Sequence, residues 1–208
     1  MDKTAIQACM QALHDRFACK RYTETLISEA DLHTILESGR LSPTSFGLEG
    51  WHFHVVQNSS LREALTSACF DQESVATAPI TIVIAALTKD SYDPYGPFVR
   101  ERGLRFPGTI DEFIDDYKGY HEFLASEDRL DCWSRAQCYI AAANMMQTAV
   151  LLGIQSCAIE GFDDATLSAV INLDRETWQP ALAITFGYPD EPIRPKIRAD
   201  LATLVSRH

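Results

Sequence analysis

The apolar positions near the start of the chain repeat with the period of an α-helix. Residues 4–15 predict one amphipathic helix, and residues 28–40 predict a second helix that Ser28 can cap at its N-terminus. The apolar positions behind the first prediction are Ile6, Met10 and Leu13. A short third helix is predicted at about residues 60–69. Between the second and third helices, the pattern changes to that of a strand.

Four stretches show strand patterns. WHFHVVQ alternates as a half-buried strand does, which predicts that Val55 shares a face with Trp51 and that Val56 lies on the other face. Residues 79–87 (PITIVIAAL) are nearly all apolar and rich in β-branched side chains. They predict a strand buried on both faces. IQSCAI and residues 181–186 (ALAITF) predict two further extended segments.

The second half of the chain contains a long apolar helix. Residues 132–152 are apolar on most sides, and such a helix must have protein all round it, in a large core or at a subunit interface. In a chain of 208 residues the interface is favoured. The preceding segment, at about 89–131, has prolines at its start and then charges interleaved with aromatic residues. It is interpreted as a lid-like excursion from the core. A further helix is predicted to begin at Asp163 or Asp164.

These elements predict a single domain over residues 1–208. Helices and strands mix without strict βαβ alternation, so the fold class is α+β or a three-layer α/β sandwich. The composition is that of a globular protein, since 46% of the residues are apolar and 23% are charged. A net charge of −11 argues against binding to nucleic acid or to an anionic membrane surface.

Several common sites and targeting signals have no support in the sequence. The N-terminal residues lack a secretory signal pattern and the longest apolar runs are too short for a membrane span, so a cytoplasmic protein is expected. The six cysteines show no CxxC pair and no zinc-ligand spacing, which favours reduced thiols and no metal site. The motifs GxxxxGK[ST], GxGxxG, HExxH and GxSxG are also missing from the sequence.

Two groups of basic residues are unusual in so acidic a chain. One group follows the first helix, and the other lies near the C-terminus. They are Arg16, Lys20 and Arg21, and Arg194, Lys196 and Arg198. The groups could converge on one dianion, because Arg and Lys make strong charge-assisted bonds to phosphate, or they could be surface charges that pair with the 29 acidic residues. The loop SPTSFGLEG likewise has two interpretations, a plain turn or part of a ligand site.

Four segments, in order along the chain, resemble the nitroreductase family of FMN-dependent oxidoreductases. They are RFACKRY, SPTSFGLEGWHF, GIQSCAIEGF and PKIR. The resemblance implies an α+β fold of three α/β/α layers, with a central, mainly antiparallel sheet flanked by helices. It also implies a homodimer in which the long helices pack across the interface, with two FMN sites that both subunits build.

The resemblance further implies roles for individual residues. Arg16 and a C-terminal basic pair would bind the FMN phosphate, and Lys20 would reach the N1 and O2 edge of the flavin. The loop at 43–47 would come from the partner subunit, and backbone N–H groups at 159–161 would face N5 and O4. The implied cofactor-binding residues are Arg16, Phe17, Ala18, Lys20, Pro43, Thr44, Ser45, Gly47, Ile159, Glu160, Gly161, Lys196 and Arg198.

The implied reaction needs no catalytic side chain, because the flavin carries the hydride and Lys20 and the backbone of Glu160 and Gly161 only tune it. NADH or NADPH would reduce the flavin by a ping-pong mechanism, and nitroaromatics, quinones or similar acceptors would reoxidise it. Aromatic residues of the excursion could line the acceptor pocket or form the apolar face of a lid helix. They are Tyr117, Tyr120 and Phe123. The alternatives are a specialised enzyme of the same fold, for reductive dehalogenation or flavin fragmentation, and a flavin-binding protein without turnover.

The sequence departs from the family pattern at three places. Residues 17–19 replace polar residues that many members carry, and Gly47 replaces a frequent asparagine. No asparagine can be placed against the flavin pyrimidine, and Asp71 and Gln72 are the nearest candidates. These departures affect single contacts and leave the basic residues of the implied phosphate site in place. Cys157 also lies near the implied site.

Overall fold

The structure is a computed structural model that describes residues 3–208. The helices and strands of this part are α1 (Lys3–Asp15), α2 (Glu29–Arg40), β1 (Trp51–Val56), α3 (Ser59–Ala68), α4 (Glu73–Thr77), β2 (Ile80–Leu87), α5 (Pro97–Gly103), α6 (Ile110–Ser126), α7 (Leu130–Leu151), β3 (Gln155–Ile159), α8 (Asp164–Val170), β4 (Trp178–Gly187) and α9 (Leu201–Leu204). Ser28 caps α2 as predicted, because its hydroxyl accepts a hydrogen bond from the N–H of Asp31.

The four strands form one antiparallel sheet in the order β1-β2-β4-β3. Ile82 in β2 lies opposite Val55 on one side and Ile184 on the other. Every residue of β2 is buried, which confirms the predicted strand with both faces covered. The strand β3 lies at one edge of this sheet, where other segments of the chain can lie alongside it.

Helices cover both faces of the sheet. On one face, Ile82 packs in a cluster with Met145 of α7 and with residues of α2. On the other face, Val83 packs in a cluster with Leu65 of α3 and with residues of α8. Because neighbouring residues of β2 point to opposite faces, this strand contributes to both clusters. The predicted α+β fold with three α/β/α layers is confirmed.

The helix α7 is buried on only one side by its own chain. Met145 is fully buried, whereas Tyr139 and Ile140 are 41% and 39% exposed. Together with the exposed residues Ala136 and Ala143, they form a largely apolar stripe along the helix. The prediction that protein surrounds this helix on every side is therefore not met within a single chain.

The helix α1 also turns apolar side chains outward. Its one buried residue is Ala12, and the three apolar positions that predicted the helix are each about half exposed. They are Ile6, Met10 and Leu13. The helix lies against α7, where the side-chain amide of Gln147 donates to the carbonyl of Cys9 at 3.0 Å. The exposed apolar residues of α1 and of α7 therefore belong to two helices in contact.

The segment at about 89–131 folds around an apolar cluster of its own. It contains α5 and α6, and a short 3₁₀ helix at Lys89–Tyr92. The fully buried side chains of Tyr92, Phe113 and Tyr117 pack there. Leu48 and Leu87 belong to the same cluster, so the excursion is packed onto the rest of the chain.

The alternation predicted for β1 is confirmed, because Trp51 and Phe53 pack on the α7 face of the sheet and Val56 packs on the α3 face. Val55 is exposed. One detail of another strand differs from the prediction. β4 begins at Trp178, three residues before the prediction, with Pro180 inside it. Proline has no N–H for the ladder, and the register shifts between Ile84 and Ala85 beside Pro180.

Residues 3–208 contain neither a membrane-spanning helix nor a group of side chains that could bind a metal ion. None of their helices is both long and apolar enough to cross a membrane. They also contain no group of three or more His, Cys, Asp or Glu side chains that could hold a metal ion.

Candidate functional site

The segment after α1 lies alongside the edge strand β3. Ala18 forms a parallel β-bridge with Ser156, and the N–H of Cys19 donates to the carbonyl of Ser156 at 3.3 Å. Side chains alternate in this extended segment, so Phe17 and Cys19 are buried while Ala18 and Lys20 point outward. The apolar residues at positions 17 and 19 therefore serve the core, and burial raises the pKa of the Cys19 thiol to about 12.

The C-terminal tail returns to this same segment. The N–H of Thr23 donates to the carbonyl of Tyr188 at 2.8 Å, and the N–H of Asp190 donates to that of Arg21 at 2.9 Å. Beyond Asp190 the chain has no regular structure until α9. It lies against the residues that follow α1, because Arg194 donates to the carbonyl of Ala18 and Lys196 donates to that of Arg16. This brings Arg16 of the first basic group together with the second group, whereas Lys20 contacts Cys157 and Arg21 pairs with Asp190.

Basic residues line a small cavity where the tail meets the end of α1. The cavity has a volume of about 210 Å³, and its lining consists of Arg16, Phe17, Ala18, Arg194, Pro195, Lys196, Ile197 and Arg198. Arg16, Lys196 and Arg198 form no ion pair with any acid in residues 3–208. Burial, and the charges of Arg16 and Arg198, lower the pKa of Lys196. These three cations repel one another and have no acidic partner within residues 3–208, so the cavity is suited to bind an anion.

A second set of donors lies along β3. The ammonium of Lys20 donates to the Sγ of Cys157 at 3.2 Å. After β3 ends, the backbone N–H groups of Glu160 and Gly161 donate to no residue in the described part of the chain. The carbonyl of Gly161 accepts from the side-chain amide of Gln72 at 2.9 Å. The site thus has one cation beside the strand and two free N–H groups after its end.

The loop before β1 is partly explained by contacts within its own chain. Ser42 is buried, and its hydroxyl accepts from Asn144 at 2.7 Å, while the hydroxyl of Thr44 accepts from the N–H of Glu49 at 3.1 Å. The N–H of Ser45 donates to Gln137 of α7 at 3.0 Å. The loop has three hydroxyl side chains, on Ser42, Thr44 and Ser45. Those of Ser42 and Thr44 therefore bind groups of their own chain, as in a plain turn.

Pro43 and Gly47 of this loop are exposed, and Gly47 has a φ of +61°, which glycine adopts without strain. Phe46 also has a positive φ, of 55°, and its ring lies 5.2 Å from that of Tyr117. No hydrogen bond, ion pair or ring contact among residues 3–208 joins 43–47 to the basic cavity. Within one chain, these contacts therefore join the loop to Tyr117, which was considered for the acceptor pocket, and not to the residues predicted to bind the phosphate.

The sequence profile of the Nitroreductase family matches residues 13–188. The chain belongs to this family. It is 38% identical to a Staphylococcus epidermidis protein provisionally named as an NAD(P)H nitroreductase, over 96% of each chain. Its fold matches a nitroreductase-like protein from Streptococcus mutans with a TM-score of 0.85, at 20% identity over 98% of this chain and 99% of the other. A provisionally named nitroreductase from Exiguobacterium sibiricum, solved in complex with FMN, has a TM-score of 0.79 at 18% identity over 96% of each chain.

The three aromatic residues considered for an acceptor pocket lie in different environments in this chain. Tyr117 is fully buried, and its hydroxyl donates to the carbonyl of Tyr92 at 3.0 Å. Tyr120 is half-buried, and Phe123 is 51% exposed. Tyr117 thus belongs to the apolar face of the helix α6, which was the alternative interpretation. Phe123 is the member of the set with most of its ring open to a ligand.

Sequence reasoning missed two residues that shape this candidate site. Glu191 accepts hydrogen bonds from the backbone N–H groups of Lys20 and Arg21. Arg194 was noted as basic, but it was not assigned to the site, and it lines the cavity. The sequence held one signal for this pair, because Glu191 and Arg194 lie three residues apart, close enough to form an ion pair within the tail.

Proposed function

We propose that this nitroreductase is an FMN-dependent oxidoreductase that takes hydride from NADH or NADPH by a ping-pong mechanism. Nitroaromatics, quinones or related small molecules would be the acceptors. The cavity with Arg16, Lys196 and Arg198 carries the proposal, because three cations that form no ion pair within residues 3–208 suit the dianionic phosphate of FMN. The name of the Staphylococcus relative and the FMN in the Exiguobacterium structure support the choice of donor and cofactor.

The residues present fit FMN at both ends of the molecule. The phosphate end is the basic cavity. The flavin end is the region of Lys20 and of the N–H groups of Glu160 and Gly161, which have no acceptor among residues 3–208. The strand β3 connects the two ends, since Ser156 lies beside Ala18 and Glu160 follows the last residue of the strand. When bound, FMN supplies a ring that accepts and donates hydride.

The chain itself would supply fixed electrostatics for this chemistry. The ammonium of Lys20 would stabilise the negative charge of the reduced flavin, and the N–H groups of Glu160 and Gly161 would donate to its polar edge. Ile159 is buried and anchors the end of β3, so the donors that follow start from a rigid strand. Such donors need no reorganisation as charge develops. A side-chain acid and base pair is not needed for hydride transfer to a flavin.

A homodimer would complete the site. The exposed apolar residues of α1 and α7 form a surface that a second copy of the chain would cover. The loop at 43–47 is attached to α7, because the N–H of Ser45 donates a hydrogen bond to Gln137 of that helix. A partner packed along α7 would therefore carry its own loop toward the first subunit. This arrangement would give two FMN sites, each built by both chains.

The first experiment is a visible spectrum of the purified protein, followed by anaerobic NADH and then NADPH. A yellow protein that is bleached by a nucleotide and recovers its colour with a quinone or a nitroaromatic supports the proposal. Flavin that neither nucleotide reduces would favour a flavin-binding protein without turnover. The matched variants are Lys196→Met, which should purify with little FMN, and Lys118→Met, which removes an equal charge from an exposed ion pair on α6 and should retain it.

A further inference from the structure

Glu191 lies at the centre of the contacts between the C-terminal tail and the segment after α1. Its side chain is 19% exposed. One carboxylate oxygen accepts from the N–H of Lys20 and, at 3.4 Å, from that of Arg21. Arg194 donates to both carboxylate oxygens at 3.2 Å. Burial opposes the negative charge, but the N–H groups and the charge of Arg194 outweigh it and lower the pKa of Glu191.

Arg194 and Lys196 extend these contacts along the tail. The guanidinium of Arg194 donates to the carbonyl of Ala18 at 2.8 Å and lies 5.5 Å from the centre of the Phe17 ring. The ammonium of Lys196 donates to the carbonyl of Arg16. The tail has no helix or strand between Asp190 and α9, so these side chains hold it in place. Within residues 191–198, Glu191 is the acidic residue that takes part in these contacts.

We infer that Glu191 is a positioning residue for the cofactor phosphate. It fixes Arg194 and the backbone of Lys20, and thereby holds Lys196 and Arg198 over Arg16 so that the three cations face one anion. The inference rests on the proposed function, because it assigns FMN to the cavity. Glu191 itself does not contact the phosphate, and it acts through the tail that it holds in place.

The charge of Glu191 and its positioning role have opposite effects on phosphate binding. A carboxylate near a phosphate repels it, so removal of the charge alone would strengthen FMN binding. Loss of the docked tail would weaken FMN binding, because two of the three cations come from the tail. Riboflavin lacks the phosphate, so neither the loss of the charge nor the loss of the docked tail would change its binding much. The sign of the change in FMN affinity therefore separates the two roles.

The test compares the full-length protein with Glu191→Gln and Glu191→Asp. FMN and riboflavin dissociation constants are measured by flavin fluorescence, and amide hydrogen exchange is followed in residues 16–21 and 190–198. Each variant is expected to lose about tenfold in FMN affinity, equivalent to one charge-assisted hydrogen bond, with riboflavin affinity unchanged and faster exchange in both segments. Glu191→Asp keeps the charge but shortens the side chain, so it isolates the effect of position.

Asp190→Asn is the matched control. It removes an acidic charge one residue away, where Asp190 pairs with Arg21 on the surface at 3.0 Å, and leaves the contacts of Glu191 intact. Unchanged or tighter FMN binding in Glu191→Gln, or equal losses for FMN and riboflavin, would overturn the inference. A wild-type protein that binds neither flavin would instead refute the proposed function.

Discussion

The ammonium of Lys20 lies 3.2 Å from the thiol sulfur of Cys157. Cys157 is buried in β3, three residues before Glu160, and Lys20 comes from the segment alongside this strand. Sulfur is a weak hydrogen-bond acceptor, so the contact adds little binding energy. Its main effect is to fix the position of the Lys20 ammonium. In the proposed function, this places a cation at the flavin edge that gains negative charge on reduction.

Replacement of Cys157 should therefore change the redox potential of bound FMN. Cys157→Val removes the acceptor at similar volume, and we expect the midpoint potential to fall by roughly 10–30 mV as the ammonium becomes less well placed. Lys20→Met should lower it by about 30 mV or more, since 30 mV corresponds to about 1.4 kcal/mol for two electrons. The measurement is an anaerobic titration against a reference dye.

Cys69→Val is the control for this prediction, because Cys69 is another buried thiol in the cluster on the same sheet face. Its potential should equal that of the wild type. If Cys157→Val also leaves the potential unchanged while Lys20→Met lowers it, Cys157 only fills space beside an independently placed lysine.

The binding of FMN should depend on the protonation of Lys196. Burial and the neighbouring Arg16 and Arg198 lower its pKa in the free chain, so it loses its proton at a lower pH than an ordinary lysine does. A bound phosphate would offset this repulsion and raise the pKa again. FMN affinity should thus be constant near neutral pH and fall as the pH rises through the lowered pKa of the free chain.

Lys196→Arg provides the comparison, because a guanidinium keeps its charge over this range. The measurement is the FMN dissociation constant from neutral pH to about pH 11, where an unperturbed lysine has also titrated. The wild type should weaken and the variant should not. Equal weakening of both proteins would assign the pH dependence to another group.

The parts of the fold that the sequence predicts well depend on neighbouring residues. The cap at Ser28 is one example, since its partner Asp31 lies three residues away. The part of the site that was missed depends on distant residues. Glu191 meets Lys20 across 171 positions, and only the folded chain brings them together. Periodicity also predicts which residues share a face, but not whether their own chain covers that face, as the half-exposed Ile6, Met10 and Leu13 of α1 show.

Substitutions of Tyr117 and Phe123, two aromatic residues of α6, should have different effects on stability and on activity. Tyr117→Phe removes the only hydroxyl bound to the buried carbonyl of Tyr92 among residues 3–208, and should lower the free energy of unfolding by about 1–3 kcal/mol. Phe123→Ala, at a ring that is 51% exposed, should leave stability nearly unchanged and alter kcat/KM for the acceptor. Urea unfolding and steady-state kinetics with two acceptors test both. Unchanged kinetics in Phe123→Ala would remove this residue from the acceptor pocket.

The exposed stripe of α7 should control both assembly and cofactor binding. Ile140 is 39% exposed on that stripe, and Ile140→Asp would place a charge where the proposed partner packs. We expect the variant to sediment as a monomer and to lose most of its FMN, because the partner's loop at 43–47 would leave the site. Leu61→Asp is the matched control, since Leu61 is 42% exposed on α3, over the opposite face of the sheet. It should remain a dimer with FMN bound, whereas a wild-type monomer that binds FMN fully would contradict the two-chain site.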